Sequence, residues 1–234
     1  MLHSAKGYES HPHPSRLSDF ILGSQDGLVN VLGILLGLSA ASADVHIILI
    51  ASLAALGAES ISMGAVAYTS TLARRRLYLS EVQREKDEMR EIPDVEREEV
   101  REVLVEWGYT GTDLEELLDR ICRNPRAWVE FMMAFELKLA PVKETQARDS
   151  ALVVLMATIA GSIIPVLPFL VPSIALLDRV IATVVLCGAT LALIGVYEAR
   201  TTGGRPFQNA AQMIVIGLAA GFAGFLIGLA LGTH

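Results

Sequence analysis

Five stretches almost devoid of charge constrain this chain more than anything else in it: residues 17–42, 45–72, 149–171, 176–197 and 207–231. Each has about 20 residues or more, the length a helix needs to cross a hydrocarbon core of roughly 30 Å. In lipid only a helix or a closed barrel satisfies every backbone N–H and C=O. The lengths fit helices. The charge is segregated to match, because residues 74–148 hold 14 of the 19 Lys/Arg and 18 of the 26 Asp/Glu. The sequence therefore predicts an all-α integral membrane protein with five transmembrane helices and a soluble helical insert between the second and third. The expected divisions are a polar tail at 1–16, transmembrane helices 1 and 2 at 17–73, an acidic helical insert at 74–148, and transmembrane helices 3 to 5 at 149–234.

A net charge of −7, with the acid concentrated in the insert, argues against nucleic acid and for cations as ligands. The two cysteines, Cys122 and Cys187, fall in different parts of this plan and imply no disulfide framework. Residues 1–16 are polar with no apolar core, so the first apolar helix is expected to be an uncleaved anchor. His11 and His13 in that tail are a weak metal pair, and a solvated tail is the plainer reading.

Lys and Arg set the expected orientation. With the N-terminus inside, the tail, the insert and the loop at 198–206 are cytoplasmic and hold 18 of the 19 basic residues, leaving Arg179 alone on the far side. Small residues pepper the apolar stretches, as in Gly217-Leu-Ala-Ala-Gly221 and the GxxxG pair Gly224 and Gly228, which permit close helix contact. Pro165 and Pro168 are expected to break the third helix and free backbone carbonyls to line a path.

Within the insert, residues 77–92 are good helix formers that stop before Pro93. Asp94 is the expected N-cap of the next helix, which ends at Gly108. Thr112-Asp113-Leu114-Glu115 has the spacing of a capping box. Asn124-Pro125 opens a last helix, expected to run to Leu139.

Glu81, Glu85 and Glu88 share one helical face, and Glu96 and Glu99, with Glu102 and Glu106 nearby, repeat the arrangement on the following helix. Carboxylates on facing helices are a way for helical proteins to hold divalent transition metals. A solvated face of ion pairs has the same spacing, and Arg84, Lys86, Arg90, Arg97 and Arg101 supply the partners. Met132 and Met133, between Glu130 and Glu136, add soft thioethers that suit Fe(II) better than Ca or Mg; methionines beside Phe131 and Phe135 also read as core filler. Carboxylates inside the apolar stretches are more telling. Asp26 lies about two turns into the first, and Glu59 and Met63 are stacked four apart in the second. A charge at the bilayer centre costs about 3 kcal/mol on insertion scales and usually marks a pathway. An interfacial cap for Asp26, and a structural hydrogen bond for Glu59, are the bland alternatives.

Together, SDFILGSQDGLVNVLGILLGLS, SMGAVAYTS, the acidic insert, EFMMAFEL and GSIIPVLPFL cover nearly the whole chain and resemble the vacuolar iron transporter family. The resemblance implies a five-helix membrane domain, a cytoplasmic three-helix metal-binding domain, a homodimer and exchange of metal for protons. It implies pathway ligands at Asp26 and Met63. It further implies a cytoplasmic cluster of Glu85, Glu88, Glu96, Glu99, Met132, Met133 and Glu136. Where members of the family commonly carry a glutamate in the second helix this chain has Ala67, and Glu59, two turns earlier, is the candidate to supply that carboxylate.

The expected activity is proton-coupled transport of Fe2+, and of Mn2+, out of the cytoplasm, with Zn2+ and Co2+ as further candidate ligands and no organic cofactor or enzymatic step. The expected partners are metal ions, protons, the lipid bilayer and a second copy of the chain. The membrane would be the plasma membrane of a prokaryote or the vacuolar membrane of a eukaryote. The alternative is a membrane-tethered ferroxidase or a metal sensor. Against a ferroxidase, the insert contains no histidine, whereas di-iron bundles use Glu-x-x-His from two helices.

Overall fold

The computed structural model describes residues 14–232, and every element among them is helical. The order is α1 (Pro14–Ala41), α2 (Val45–Glu91), α3 (Pro93–Glu106), α4 (Gly111–Cys122), α5 (Pro125–Phe131), α6 (Glu144–Val166), α7 (Leu176–Thr202) and α8 (Pro206–Leu231). A π-helical turn, Met132–Glu136, extends α5, and a 3-10 turn, Leu167–Leu170, extends α6. Five helices are long and apolar enough to cross a membrane: α1, α2, α6 with its 3-10 turn, α7 and α8. Contacts divide the chain into two compact units. One comprises the residues up to Tyr68 and those from Arg148 onward, and the other is Thr69–Ala147. The tail histidines His11 and His13 lie outside the described residues.

In the first unit α1 is the centre. Leu28, Leu32 and Leu36 pack against Cys187 and Leu191 of α7 and Met213 of α8. Val31 and Leu35 turn the other way, onto Ile48 of α2, Val166 at the end of α6 and Phe169 in the turn that follows it. A helix apolar on both faces is what a bundle core requires. The GxxxG pair has a defined partner here. Gly224 and Gly228 of α8 lie directly on the backbone of Gly33 and Gly37 in α1, and a Cβ on Gly37 would fall 2.9 Å from the Gly224 carbonyl oxygen. With no hydrophobic effect to drive helices together in lipid, such backbone contact is the main source of packing energy.

The prolines act differently from expectation. Pro165 sits within α6, and the helix tightens into its 3-10 turn only at Leu167. The carbonyls freed nearby are taken up by α7: Thr183 Oγ1 donates to Pro165 O at 3.1 Å, and the Arg179 guanidinium donates to the carbonyls of Phe169, Pro172 and Ile174. Buried Thr183 and Arg179 thus satisfy carbonyls at the end of α6 and in the segment that follows it.

In the second unit Val100 and Leu104 of α3, Leu114 and Leu118 of α4, and Trp128, Phe131 and Met132 form one apolar core. Its helix ends correct several local readings. Pro93 takes the first position of α3 with Ile92 at the cap, so Asp94 falls inside the helix. α4 begins at Gly111 with Thr110 at a cap that makes no side-chain bond, so the capping box does not form. Glu115 pairs instead with Arg101, and the ion pair between helices wins over the local cap. Asn124 does cap α5, accepting from the N–H groups of Arg126 and Ala127. That last helix stops short of Leu139 because Leu137 closes the π turn and Lys138 adopts a φ of 53°.

Candidate functional site

The carboxylates expected to matter gather at two places, one in each unit. In the first unit, Asp26 of α1 interacts by charge and by hydrogen bond with Glu59 of α2. Asn30, one turn beyond Asp26, donates its Nδ2 to Glu59 Oε1 in a short hydrogen bond. Met63 follows Glu59 by one turn and, like Asp26 and Glu59, is half-buried. Both carboxylates lie within helices of membrane length, where a charge is tolerated only if it is paired or faces water. Their described partners are each other and a neutral amide. A cation bound between two such carboxylates would offset the repulsion between them. Asn30 also lines an apolar groove of about 660 Å³ between α1, α2 and α8.

In the second unit, Glu85 and Glu88 of α2 and Glu96 of α3 each place a carboxylate oxygen within 4.8 Å of the others. The single residue Ile92 links the two helices, and the bend there brings the two glutamate faces together. Glu85 and Glu96 are each only 2% exposed, and one oxygen of each, Oε2, is buried without a hydrogen-bond partner. Buried polar atoms are ordinarily paired. Two such oxygens beside a third carboxylate have the donor chemistry of a divalent-cation site. Arg84 supplies the local positive charge, with Glu81 at 2.9 Å, Glu88 at 3.4 Å and Glu85 at 3.8 Å.

Glu99 and Glu136 belong to the same electrostatic group. Burial first, and then the charges of Glu99, Glu85, Glu88 and Glu136, push the Glu96 carboxyl up to about 8. Burial, then Glu99 and Glu85, raises Glu136 to about 7, with Arg84 acting in the opposite sense. Glu99 is raised by burial and by Glu88 and Glu102. Glu136 ends the π-helical turn that also carries Met132 and Met133, both buried. π-helical turns occur often at functional sites, since the extra residue re-aims the side chains. Met132 packs in the apolar core of the unit, so the core-filler reading describes its surroundings.

Two residues escaped notice in the sequence. Asn30 reads there only as an interruption of an apolar stretch, and Arg84 only as one partner in a solvated face. The spacing of Arg84 to Glu81 and Glu88, three and four residues, held that information; the pairing of Asn30 with Glu59 spans two helices and left no local signal.

These arrangements sit in a chain with clear relatives. A model of the VIT family matches residues 17–229. The chain is 33% identical over 237 residues to vacuolar iron transporter 1 of Oryza sativa subsp. japonica, covering 98% of this chain and 94% of that protein. It is 37% identical to vacuolar iron transporter 2 of the same plant, over 88% of this chain and 84% of the relative. It is 34% identical to vacuolar iron transporter 1 of Arabidopsis thaliana, over 89% and 83%. The family match spans the membrane-length helices and both carboxylate groups, and the chain belongs to the VIT family, that of the vacuolar iron transporters.

Proposed function

We propose that this protein is a proton-coupled transporter of Fe2+, and of Mn2+, that moves the ion out of the cytoplasm. The observation that carries the reading is the Asp26–Glu59 pair, two interacting carboxylates on helices of membrane length in a chain whose relatives are named iron transporters. Asp26 and Met63, with Glu59 held by Asn30, replace part of the hydration shell of the ion. Carboxylate and thioether together suit Fe(II). A proton and a metal ion compete for the same carboxylates, so each displaces the other, and the competition itself is the coupling.

Glu85, Glu88, Glu96, Glu99 and Glu136, with Met132 and Met133, form the collecting site on the cytoplasmic side. The distribution of Lys and Arg supports this orientation. The insert concentrates cations and passes them to the pathway, with Arg84 giving way as metal binds. The working unit is a homodimer, and the open apolar groove beside Asn30 is a surface a second copy would cover. The protein resides in the plasma membrane of a prokaryote or the vacuolar membrane of a eukaryote.

Metal uptake into proteoliposomes, measured with and without an imposed pH gradient, tests the central claim. Gradient-dependent uptake supports antiport. Oxidation of Fe2+ without its accumulation inside the vesicles would make the protein a membrane-tethered ferroxidase instead. Binding with neither accumulation nor oxidation would make it a sensor. Cross-linking in native membranes tests the dimer, and an active species that cross-links only as a monomer removes that part of the reading.

A further inference from the structure

The second unit carries a groove that neither carboxylate group uses. It lies between α2 and the segment that runs from the end of α4 into α5, and its volume is about 700 Å³. That size falls within the range of about 300–1,000 Å³ typical of small-molecule sites. Tyr78, Val82 and Met89 follow one another at spacings of four and seven, which puts them on one face of α2. With Leu79 they form one wall, and Trp128 and Val129 of α5 belong to the other. Trp128 is also part of the apolar core of the unit, so the second wall is fixed in place.

The charge around the groove runs against that of the stretch that builds it. Residues 74–148 hold 18 Asp/Glu against 14 Lys/Arg. The groove is nevertheless lined by Lys86, Arg90 and Arg126, with Glu130 the one acid among its lining residues. All four are exposed. Glu130 holds Arg126 at 2.9 Å, and Asp87 lies 3.4 Å from Arg90 while also accepting from Gln83. Among the described residues no carboxylate comes within ion-pair distance of Lys86. Lys86 and Arg90 are also one turn apart, a spacing at which like charges repel. A free cation above apolar walls is matched by an anion with an apolar body.

We infer that this groove binds a small, soluble amphipathic carboxylate. Its apolar body lies against Leu79, Val82, Met89 and Val129, and its head sits on Lys86 with the Arg90 and Arg126 guanidinium groups beside it. A guanidinium fork matches the two oxygens of a carboxylate, and the lysine ammonium supplies a point charge. A purely apolar partner would leave Lys86 without a counter-charge. A purely polar anion would leave the apolar walls in water. The inference goes beyond metal transport and does not rest on it, since no carboxylate of either metal group lines the groove.

The chain has two tryptophans, so in a Trp107→Phe background the emission comes from Trp128 alone. The full chain in phosphatidylcholine nanodiscs is titrated with 8-bromooctanoate, whose bromine quenches a nearby indole, and in parallel with 8-bromooctanol. The expected result is a saturable loss of most Trp128 emission with the carboxylate. The alcohol should bind about tenfold more weakly, the scale of one charge-assisted contact. Lys86→Glu should weaken the carboxylate by about tenfold or more on the same basis, and Lys86→Arg should keep it. Circular dichroism checks that each variant is folded, and Lys86→Gln replaces Lys86→Glu if the reversed charge disturbs the helix. Quenching that never saturates and is equal for acid and alcohol would show partition into lipid only. No quenching, or an affinity indifferent to Lys86, would show that the groove holds no anion. Complete loss of the carboxylate signal in phosphatidylglycerol nanodiscs would assign the groove to a lipid headgroup. Each of these three results overturns the proposal, and none bears on whether the protein transports metal.

Discussion

The two carboxylate groups of this protein are built on opposite economies of charge. In the unit of membrane-length helices two acids suffice, and Asp26 and Glu59 are partnered by each other and by the neutral Asn30. In the inserted unit at least five acids crowd together, and Arg84 offsets three of its neighbours. The difference matches the sequence of each unit, apolar helices of membrane length in the first and a charge-rich stretch in the second. Near water, added carboxylates are tolerable and raise the local cation concentration. In hydrocarbon every unpaired charge costs several kcal/mol, so few carboxylates are tolerated there. Under the proposed function the crowded site gathers ions and the sparse one passes them on.

The sharpest way to break this comparison is Asp26→Asn. That change keeps size and a hydrogen-bonding oxygen but removes the exchangeable proton. Transport should fall to the level of protein-free vesicles while metal binding to the insert stays near normal. If vesicle pH still responds to metal entry, Asp26 is not the exchange site and Glu59 takes its place. Next in size, Glu85→Ala with Glu88→Ala should weaken metal binding by about 10- to 100-fold, the range seen when support of a metal site is lost. Transport should slow at low metal concentration and recover at high. Unchanged calorimetric binding would return these glutamates to the role of a solvated face.

A smaller effect should appear with pH. Glu136 and Glu96 stay protonated up to about 7 and 8, so metal must displace protons below those values. Affinity at the insert should rise between pH 6 and 8 and level off above. The sign for stability is opposite. These carboxyls bind protons more tightly when folded than unfolded, so metal-free stability should fall as pH climbs from the ordinary carboxylate range through about 8. Thermal melts at several pH values, with and without Mn2+, would separate the two trends. The smallest change is expected for Met63→Ala, which removes a neutral ligand. Uptake should drop a few-fold, by analogy with loss of a supporting ligand, with the proton-to-metal ratio unchanged. A changed ratio would give Met63 a part in proton exchange.

Much of this was legible in the sequence because the strongest signals are one-dimensional. Hydrocarbon thickness dictates the length of an apolar run, and all five expected helices exist. The faces carrying Glu85, Glu88 and Glu96 follow from helical periodicity and one proline. What was not legible depends on contacts between helices. Asn30 finds Glu59 across 29 residues of chain, and Glu115 leaves its expected capping role for Arg101. The carbonyls beside Pro165 depend on Arg179 and Thr183, which a reading of α6 alone does not include. The π turn at Met132–Glu136 has no periodic signature short enough to detect over five residues.

The glycine contact between α1 and α8 bears on which parts of the first unit are free to move. Where two backbones touch at Gly33, Gly37, Gly224 and Gly228, sliding or rotation meets main-chain atoms rather than pliable side chains. Those two helices therefore behave as one plate, and Asp26 rides on it. On the same face of α1, one turn before Gly33, Asn30 meets Glu59 of α2, a polar joint beside the glycine contact. If the proposed pathway passes Asp26, an opening there is cheapest as a displacement of α2 against that plate. A methyl group added at Gly37 would then stall no chemistry at all, yet should tilt the plate and misalign the joint.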